Sequence, residues 1–329
     1  MKSNYLLVLL ILFEQAYTYG GSFMKPTSIK YGKITVEITN PDRILFPADK
    51  ITKLDLIEYY QSVAPIMIPH TKGRPISMQR FPTGIDKEGF YQKDAGEYFP
   101  LWVPIEPIKK ESGKAVNYVV IDNEATLIYL ANQACITPHL WLSKIDNLDY
   151  PDRMIFDLDP AHKSITFKQI VQTALQLKEL LEKVGLTPFV MTTGSRGLHV
   201  TVPLDRKANF DQVRTFARDV AAYVVDQNPK LLTLETRLNK RGKRIFIDWL
   251  RNGFGATGVA PYAVRAHDGA PVATPLTWAE LKDPKLNAQS YTIKNIGKRI
   301  NKMGDVWKDI FKKKGSIAKA SKLLDKLTD

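Results

Sequence analysis

The chain has 329 residues, a net charge of +13 and a single cysteine, Cys135. That length can bury one large core or two small ones. A lone thiol excludes an internal disulfide and a cysteine-built metal cluster, which suits a reducing compartment. The positive surplus points to a polyanionic partner, nucleic acid first.

Residues 1–23 carry two readings. Lys2 followed by the apolar run Tyr5–Phe13 has the charged and greasy parts of a secretion signal, too short for a membrane span of about 20 residues. Ala16-Tyr17-Thr18-Tyr19, however, puts tyrosine where a cleavage site wants small side chains. The alternative is a start at Met24, with Gly20-Gly21 as the read-through of a purine-rich ribosome-binding site. On that reading the protein is cytoplasmic, associated with the nucleoid, and has no membrane contact. The expected organisation is residues 1–23 as a signal-like segment or mis-assigned start, 24–302 as the folded domain and 303–329 as a lysine-rich tail.

Lys33–Ile38 alternates like a strand and Asn40-Pro41-Asp42 is a turn. Thr52 suits an N-cap for a helix over Lys53–Val63, with Pro69 and Gly73 closing the unit. Strands are predicted over Arg74–Phe81 and Ala115–Ile121, and a largely apolar helix over Glu124–Cys135. Arg153–Pro160 reads as a strand. A helix over Thr166–Lys183 stops at Gly185. Strands Pro188–Thr192 and Leu198–Pro203 flank a glycine turn, Phe210–Asp226 is an amphipathic helix, and Arg244–Asp248 is a further strand. Gly253, Gly255, Gly258 and Pro261 mark loops. Thr277-Trp278-Ala279-Glu280 resembles a capping box, and the residues from Lys294 on are lysine-rich and weakly helical. Interleaved strands and helices predict an α/β (α+β) fold.

The chemistry sits on three of these segments. Positions i and i+2 of a strand share a face, so Asp157 and Asp159 project together with Leu158 packed behind them. Two carboxylates that close repel unless a cation lies between them. Their hard oxygens suit Mg²⁺ or Mn²⁺, ions commonly shared with substrate phosphates. Asp248, ending another apolar strand, would complete a two-ion site for an attacking 3′-hydroxyl and a leaving pyrophosphate. In the turn Thr193-Gly194-Ser195-Arg196-Gly197-Leu198-His199, the glycines admit positive φ and close backbone approach. Its amides, the Thr193 or Ser195 hydroxyl, Arg196 and His199 are suited to phosphate oxygens. Each motif alone has a bland reading: a strand-end cap, a plain turn, a core histidine. Together they point to nucleotidyl transfer. The segments Arg74–Pro82, Gly89–Lys93 and Tyr262–His267 add aromatic and basic residues suited to stacking on bases while gripping phosphate.

In these motifs, and in Asn40–Pro47 and His139–Pro160, the chain resembles the polymerase domain of bacterial ligase D, a branch of the archaeo-eukaryotic primase superfamily. The resemblance spans roughly Ile38 to Lys302. It implies a primase-like catalytic fold with a central, mainly antiparallel or mixed sheet flanked by helices. It further implies a primase–polymerase that extends 3′ ends at gaps and breaks in non-homologous end joining, with a preference for ribonucleotides and two Mn²⁺ or Mg²⁺ ions. The implied partners are DNA with gaps or broken ends, nucleoside triphosphates, Ku and a separate DNA ligase; the chain itself is expected to be a monomer.

By resemblance, Asp157, Asp159 and Asp248 are the catalytic metal ligands. Thr193, Ser195, Arg196 and His199 form the triphosphate turn. Arg80, Lys93, His139 and Arg265 are nucleotide-site positions, and Phe90 or Tyr91 stacks on a base. Arg43 and Lys53 grip a downstream 5′-phosphate. Three positions depart from the family pattern. Thr193 replaces serine, Arg196 a lysine, and His267 a second arginine, which makes charge there dependent on pH. Lys312-Lys313-Lys314 would add nonspecific DNA affinity, and Lys240-Arg241-Gly242-Lys243 reads as a basic turn touching DNA near the site. Two other classes remain: a noncatalytic module that binds 5′-phosphorylated DNA ends, and a metal-dependent nuclease. The intact acids argue against the first and the triphosphate-type turn against the second.

Overall fold

The computed structural model describes residues 27–109 and 113–328. The apolar run Tyr5–Phe13 and the alternative start at Met24 lie outside the described residues.

Two short hairpins open the fold: β1 (Ser28–Tyr31) with β2 (Ile34–Glu37), and β3 (Ile44–Phe46) with β4 (Ile51–Thr52). Helix α1 (Lys53–Thr71) starts at a capping box, in which the Thr52 hydroxyl accepts from the Asp55 amide and the Asp55 carboxylate accepts from the Thr52 amide. The expected stop after Val63 is not obeyed. The helix runs through Pro65 and Pro69, because Met67, His70 and Thr71 are buried by continuing it. Gly73, at φ +72°, then turns the chain. Strands β5 (Ile76–Arg80) and β6 (Phe90–Gln92) follow, then the hairpin β7 (Ile105–Lys109) and β8 (Ala115–Val119). Helix α2 (Glu124–Asn132) ends three residues before the expected Cys135. Ala134 takes a left-handed φ of +55°, and the Asn132 side chain turns to the backbone of Glu37 and Thr39. Cys135 instead opens β9 (Cys135–Trp141), whose residues are all buried. A strand covered on both faces shows no alternation in its sequence.

The second half supplies β10 (Arg153–Pro160), α3 (Phe167–Lys183), β11 (Phe189–Thr192), β12 (Leu198–Pro203), α4 (Phe210–Gln227), β13 (Leu232–Thr233), β14 (Ile245–Asp248), β15 (Thr257–Val259) and β16 (Pro275–Leu276), then α5 (Ile296–Met303) and α6 (Ile317–Thr328). A six-stranded sheet has the order β13-β14-β10-β12-β11-β16, antiparallel except for the β13–β14 pair. A four-stranded antiparallel sheet has the order β15-β9-β5-β6. β15 lies where the glycine count predicted only loop. One apolar core joins α1 and α2 to the smaller sheet, and another joins α3 and α4 to the larger. The mixed α/β fold with a mainly antiparallel central sheet is as expected.

The lysine-rich C-terminal residues are built into this body. Asp305 pairs with His70 at 2.8 Å and accepts the Tyr262 hydroxyl at 2.7 Å. Trp307 and Ile310 are each 1% exposed. The Phe311 ring faces the cationic groups of Arg74, Lys144 and Arg153. Gly315 bridges to Pro203 and Asp205, and α6 places Ile317, Ala320 and Leu324 in the core of the larger sheet. Lys312, Lys313 and Lys314 point to solvent.

Candidate active site

Antiparallel pairing sets Asp157 of β10 directly opposite Asp248 of β14. It also sets Asp157 opposite His199 of β12. Asp159, two residues on, shares the Asp157 face, while Leu158 is fully buried behind them. The three carboxylates therefore belong to one patch of the larger sheet, as the sequence pattern predicted.

Each carboxylate is held by cations of the protein. Asp157 Oδ2 accepts from Arg251 Nε at 2.8 Å and lies 3.5 Å from His199 Nε2. Burial alone would raise the Asp157 carboxyl, but the His199 ring and the Arg251 guanidinium outweigh it and hold it well below the usual carboxylate range. Asp248 shifts the other way: burial and the neighbouring Asp157 charge push it up against the pull of Arg251. Asp159 accepts from Arg196 at 2.9 Å on one oxygen and from Arg241 at 3.1 Å on the other. Among the described residues no three acidic, histidine or cysteine side chains stand arranged as a ready metal cage; arginines hold the acids instead.

The turn before β12 is braced by Thr193. Its hydroxyl donates to the Gly197 carbonyl and accepts from the Ser195 and Gly197 amides. That side chain is spent on the turn itself, leaving Ser195 and Arg196 as its outward polar groups. Gly194 has φ +64°. A Cβ on Gly197 would meet the Leu158 carbonyl oxygen at 1.9 Å, so the turn can lie against β10 only with glycine there. Gly197→Ala is expected to lower unfolding stability by about 2–4 kcal/mol in a denaturant melt, because backbone rather than a flexible side chain must move.

A polar cavity of about 210 Å³ lies over these groups. It is lined by Asp157, Asp159, the Thr193–Gly197 turn, His199 and Arg251 from the larger sheet side, and by His139, Val259 and Arg265 from the other. Three buried polar atoms on this lining have no protein partner: His139 Nε2, His199 Nδ1 and Arg265 Nε. Burial and neighbouring Arg265 keep the His139 ring far below its ordinary pKa, so it is neutral at pH 7. His267 bonds Ser195 Oγ at 3.0 Å and is likewise lowered by burial and by Arg265, so its charge appears only on the acid side of its ordinary range.

The remaining predicted residues divide. Tyr91 packs edge-on to His139, with ring centroids 5.5 Å apart, at the rim of the cavity. Lys93, just after β6, is exposed. Arg80 and Phe90, paired across β5 and β6, occupy the opposite face: Arg80 bonds Gln92, Tyr98 and Gln133, and its guanidinium lies over the Phe90 ring. They do not line the cavity. Arg43 and Lys53 are brought together apart from it, the Lys53 amide donating to the Arg43 carbonyl. Arg241, read in the sequence as part of a DNA-touching turn, is buried. It bonds Asp159 and the Glu235 and Thr236 carbonyls, and packs 3.9 Å over the Phe246 ring, leaving Lys240 and Lys243 exposed.

Arg251 and Asn252 escaped sequence reasoning. Asn252 is fully buried and bonds the Ile155 amide and carbonyl, both at 2.8 Å, pinning the turn that leads from β14 to β15. The only sequence signal was an arginine one helical turn after Asp248.

Three acids on adjacent antiparallel strands stand beside a basic glycine turn. The family model "LigD, primase-polymerase domain" matches residues 52–307, and the chain belongs to that family. It is 33% identical over 273 residues to the multifunctional non-homologous end joining protein LigD of Mycolicibacterium smegmatis, covering 82% of this chain and 35% of that one. It is 30% identical over 278 residues to the bifunctional LigD of Bacillus subtilis, covering 84% of this chain and 44% of that one. The chain thus spans about a third of the length of the first and under half of the second. Among solved structures, the polymerase domain of Mycobacterium tuberculosis ligase D in complex with DNA superposes with a TM-score of 0.79 at 32% identity. That match covers 85% of this chain and 99% of the other.

Proposed function

We propose that this chain is a template-directed polymerase that extends 3′ ends at DNA gaps and breaks in non-homologous end joining. The observation that carries the reading is the register of Asp157 against Asp248, with Asp159 on the same face and the Thr193–His199 turn beside them. The donor set fits divalent cations: three carboxylates whose charges already require positive neighbours, and no soft ligand among them. Asp157, Asp159 and Asp248 would hold two Mn²⁺ or Mg²⁺ ions. When bound, these supply activation of a 3′-hydroxyl and charge neutralisation on the departing pyrophosphate. The chain's own groups do the rest. Ser195, Arg196 and Arg265 face the triphosphate position, neutral His139 offers a ring N–H donor to its oxygens, His199 lines the same cavity with its Nδ1 unpartnered, and Tyr91 stands at the rim to stack on a base. Ribonucleotides are the preferred substrate class, and Ku and a ligase the working partners.

The test is extension of a primer on gapped, 5′-phosphorylated DNA in Mn²⁺, with ribonucleotides and deoxyribonucleotides compared. Addition of one or a few ribonucleotides supports the reading. Tight end binding without synthesis would favour a noncatalytic end-binding module, and shortening of labelled DNA without nucleotides a nuclease.

Arg43 and Lys53 are proposed to read the downstream 5′-phosphate. Lys53 is only 4% exposed, and its ammonium donates to the Thr39 hydroxyl and the Asn132 carbonyl rather than to a carboxylate. Burial, and then the Arg43 charge, lower it to about 8. Below that value the ammonium is charged and attracts phosphate; above it the charge is lost. The preference for a 5′-phosphate over a 5′-hydroxyl gap is therefore expected to weaken as pH rises beyond about 8, and to be small at every pH in Lys53→Gln. Paired binding titrations of the two DNAs at low and high pH would check this.

A further inference from the structure

Resting on the metal-dependent reading above, we infer that Arg251 is a built-in counter-cation that holds the catalytic acids together until divalent ions displace it. Its Nε lies 2.8 Å from Asp157 Oδ2 and 3.5 Å from Asp248 Oδ2, so one guanidinium bridges the two carboxylates that face each other across the β10–β14 ladder. A cation placed between two acids is what their mutual repulsion requires.

The surroundings suit a side chain that moves while its backbone stays. Asn252, next in the chain, is clamped by its paired bonds to Ile155 and a third to the Trp249 carbonyl. The Arg251 side chain, by contrast, is 38% exposed, against 12% for Asp157 and 17% for Asp248. It lines the open cavity, and its Nη1 already reaches toward the Thr257 carbonyl at 3.4 Å, a resting contact on the β15 side. The other two arginines on the triad differ from it. Arg241 is anchored by two carbonyls and an aromatic ring, and Arg196 engages only Asp159. Arg251 is thus the cation on the Asp157–Asp248 pair that can leave without unpinning the fold. Its role is to position the acids: it keeps them from springing apart in the metal-free enzyme, and it sets a threshold that metal must exceed.

The inference is tested by metal binding. Mn²⁺ affinity would be measured by calorimetry on the wild type, Arg251→Gln, Arg251→Lys and Asp157→Asn. Removing a unit charge at this distance should tighten Mn²⁺ binding in Arg251→Gln by roughly tenfold. The same change should lower the metal-free melting temperature, with Mn²⁺ restoring it. Arg251→Lys, which keeps the charge, should bind like the wild type. In the wild type itself, the Arg251 Nε–H resonance should shift on Mg²⁺ titration, a readout that needs no variant to fold. Metal binding that needs Asp157 but is unchanged or weaker in Arg251→Gln, with an Nε–H signal indifferent to Mg²⁺, overturns the counter-cation role and leaves the metal reading intact. No Mn²⁺ binding by either the wild type or Arg251→Gln overturns both.

Discussion

Asp157→Ala and Asp159→Ala are each expected to abolish nucleotide addition while gapped DNA is still bound. The expected loss is large because each carboxylate is asked to hold an ion worth several kcal/mol of transition-state charge stabilisation. A loss of ~5 kcal/mol corresponds to roughly 10³- to 10⁴-fold in rate. DNA affinity should change little, since it depends on cations spread over the surface, and deleting one acid from a basic protein does not weaken them. Asp248→Ala should behave alike, because its register opposite Asp157 makes the two one site. Asp157→Asn is the sharper variant: it keeps the volume beside His199 and Arg251 while removing the charge. Single-turnover extension and DNA binding on the same preparations separate the two effects. Residual synthesis within tenfold of wild type by the alanine variants would show that these acids do not carry the chemistry.

A chain ending at Met303 is expected not to fold stably. It lacks Trp307, Ile310, Ile317, Ala320 and Leu324, all buried. Truncating a single large buried side chain typically costs about 3–5 kcal/mol. Loss of Asp305 also strands the buried His70 and the Tyr262 hydroxyl, at about 1–3 kcal/mol each. The sum exceeds ~5 kcal/mol and rivals the whole stability of an ordinary domain. Soluble yield and a denaturant melt would report it. A soluble shortened protein with an unchanged melt would mean that these residues are a true tail after all.

Much of the site was legible before any coordinates. Asp157 and Asp159 share a face because strand geometry leaves no choice at i and i+2, and the turn before β12 announces itself through Gly194 and Gly197. Helices α3 and α4 carry their apolar spacing in the chain, and Thr166 and Asn209 cap them with capping boxes. Other features were not legible. β9 is buried on both faces and so has no alternation to read. α1 passes two prolines because its far end is needed in the core. Lys294 to Lys326 looks like a solvated basic stretch, yet Ile296, Trp307, Ile310, Ile317, Ala320 and Leu324 among its lysines turn inward.

Local chemistry along the chain determined the candidate site's residue types, the strands that carry them and the turn beside them, because strand alternation, helix capping and glycine turns are decided by near neighbours. Which cation meets which acid was decided only by the tertiary structure. Arg251 on Asp157, Arg241 on Asp159 and Asp305 on His70 join residues 94, 82 and 235 positions apart. A charge in water is indifferent to a partner so far along the chain. It acquires one only when strand register and helix packing close the distance and remove the solvent between them.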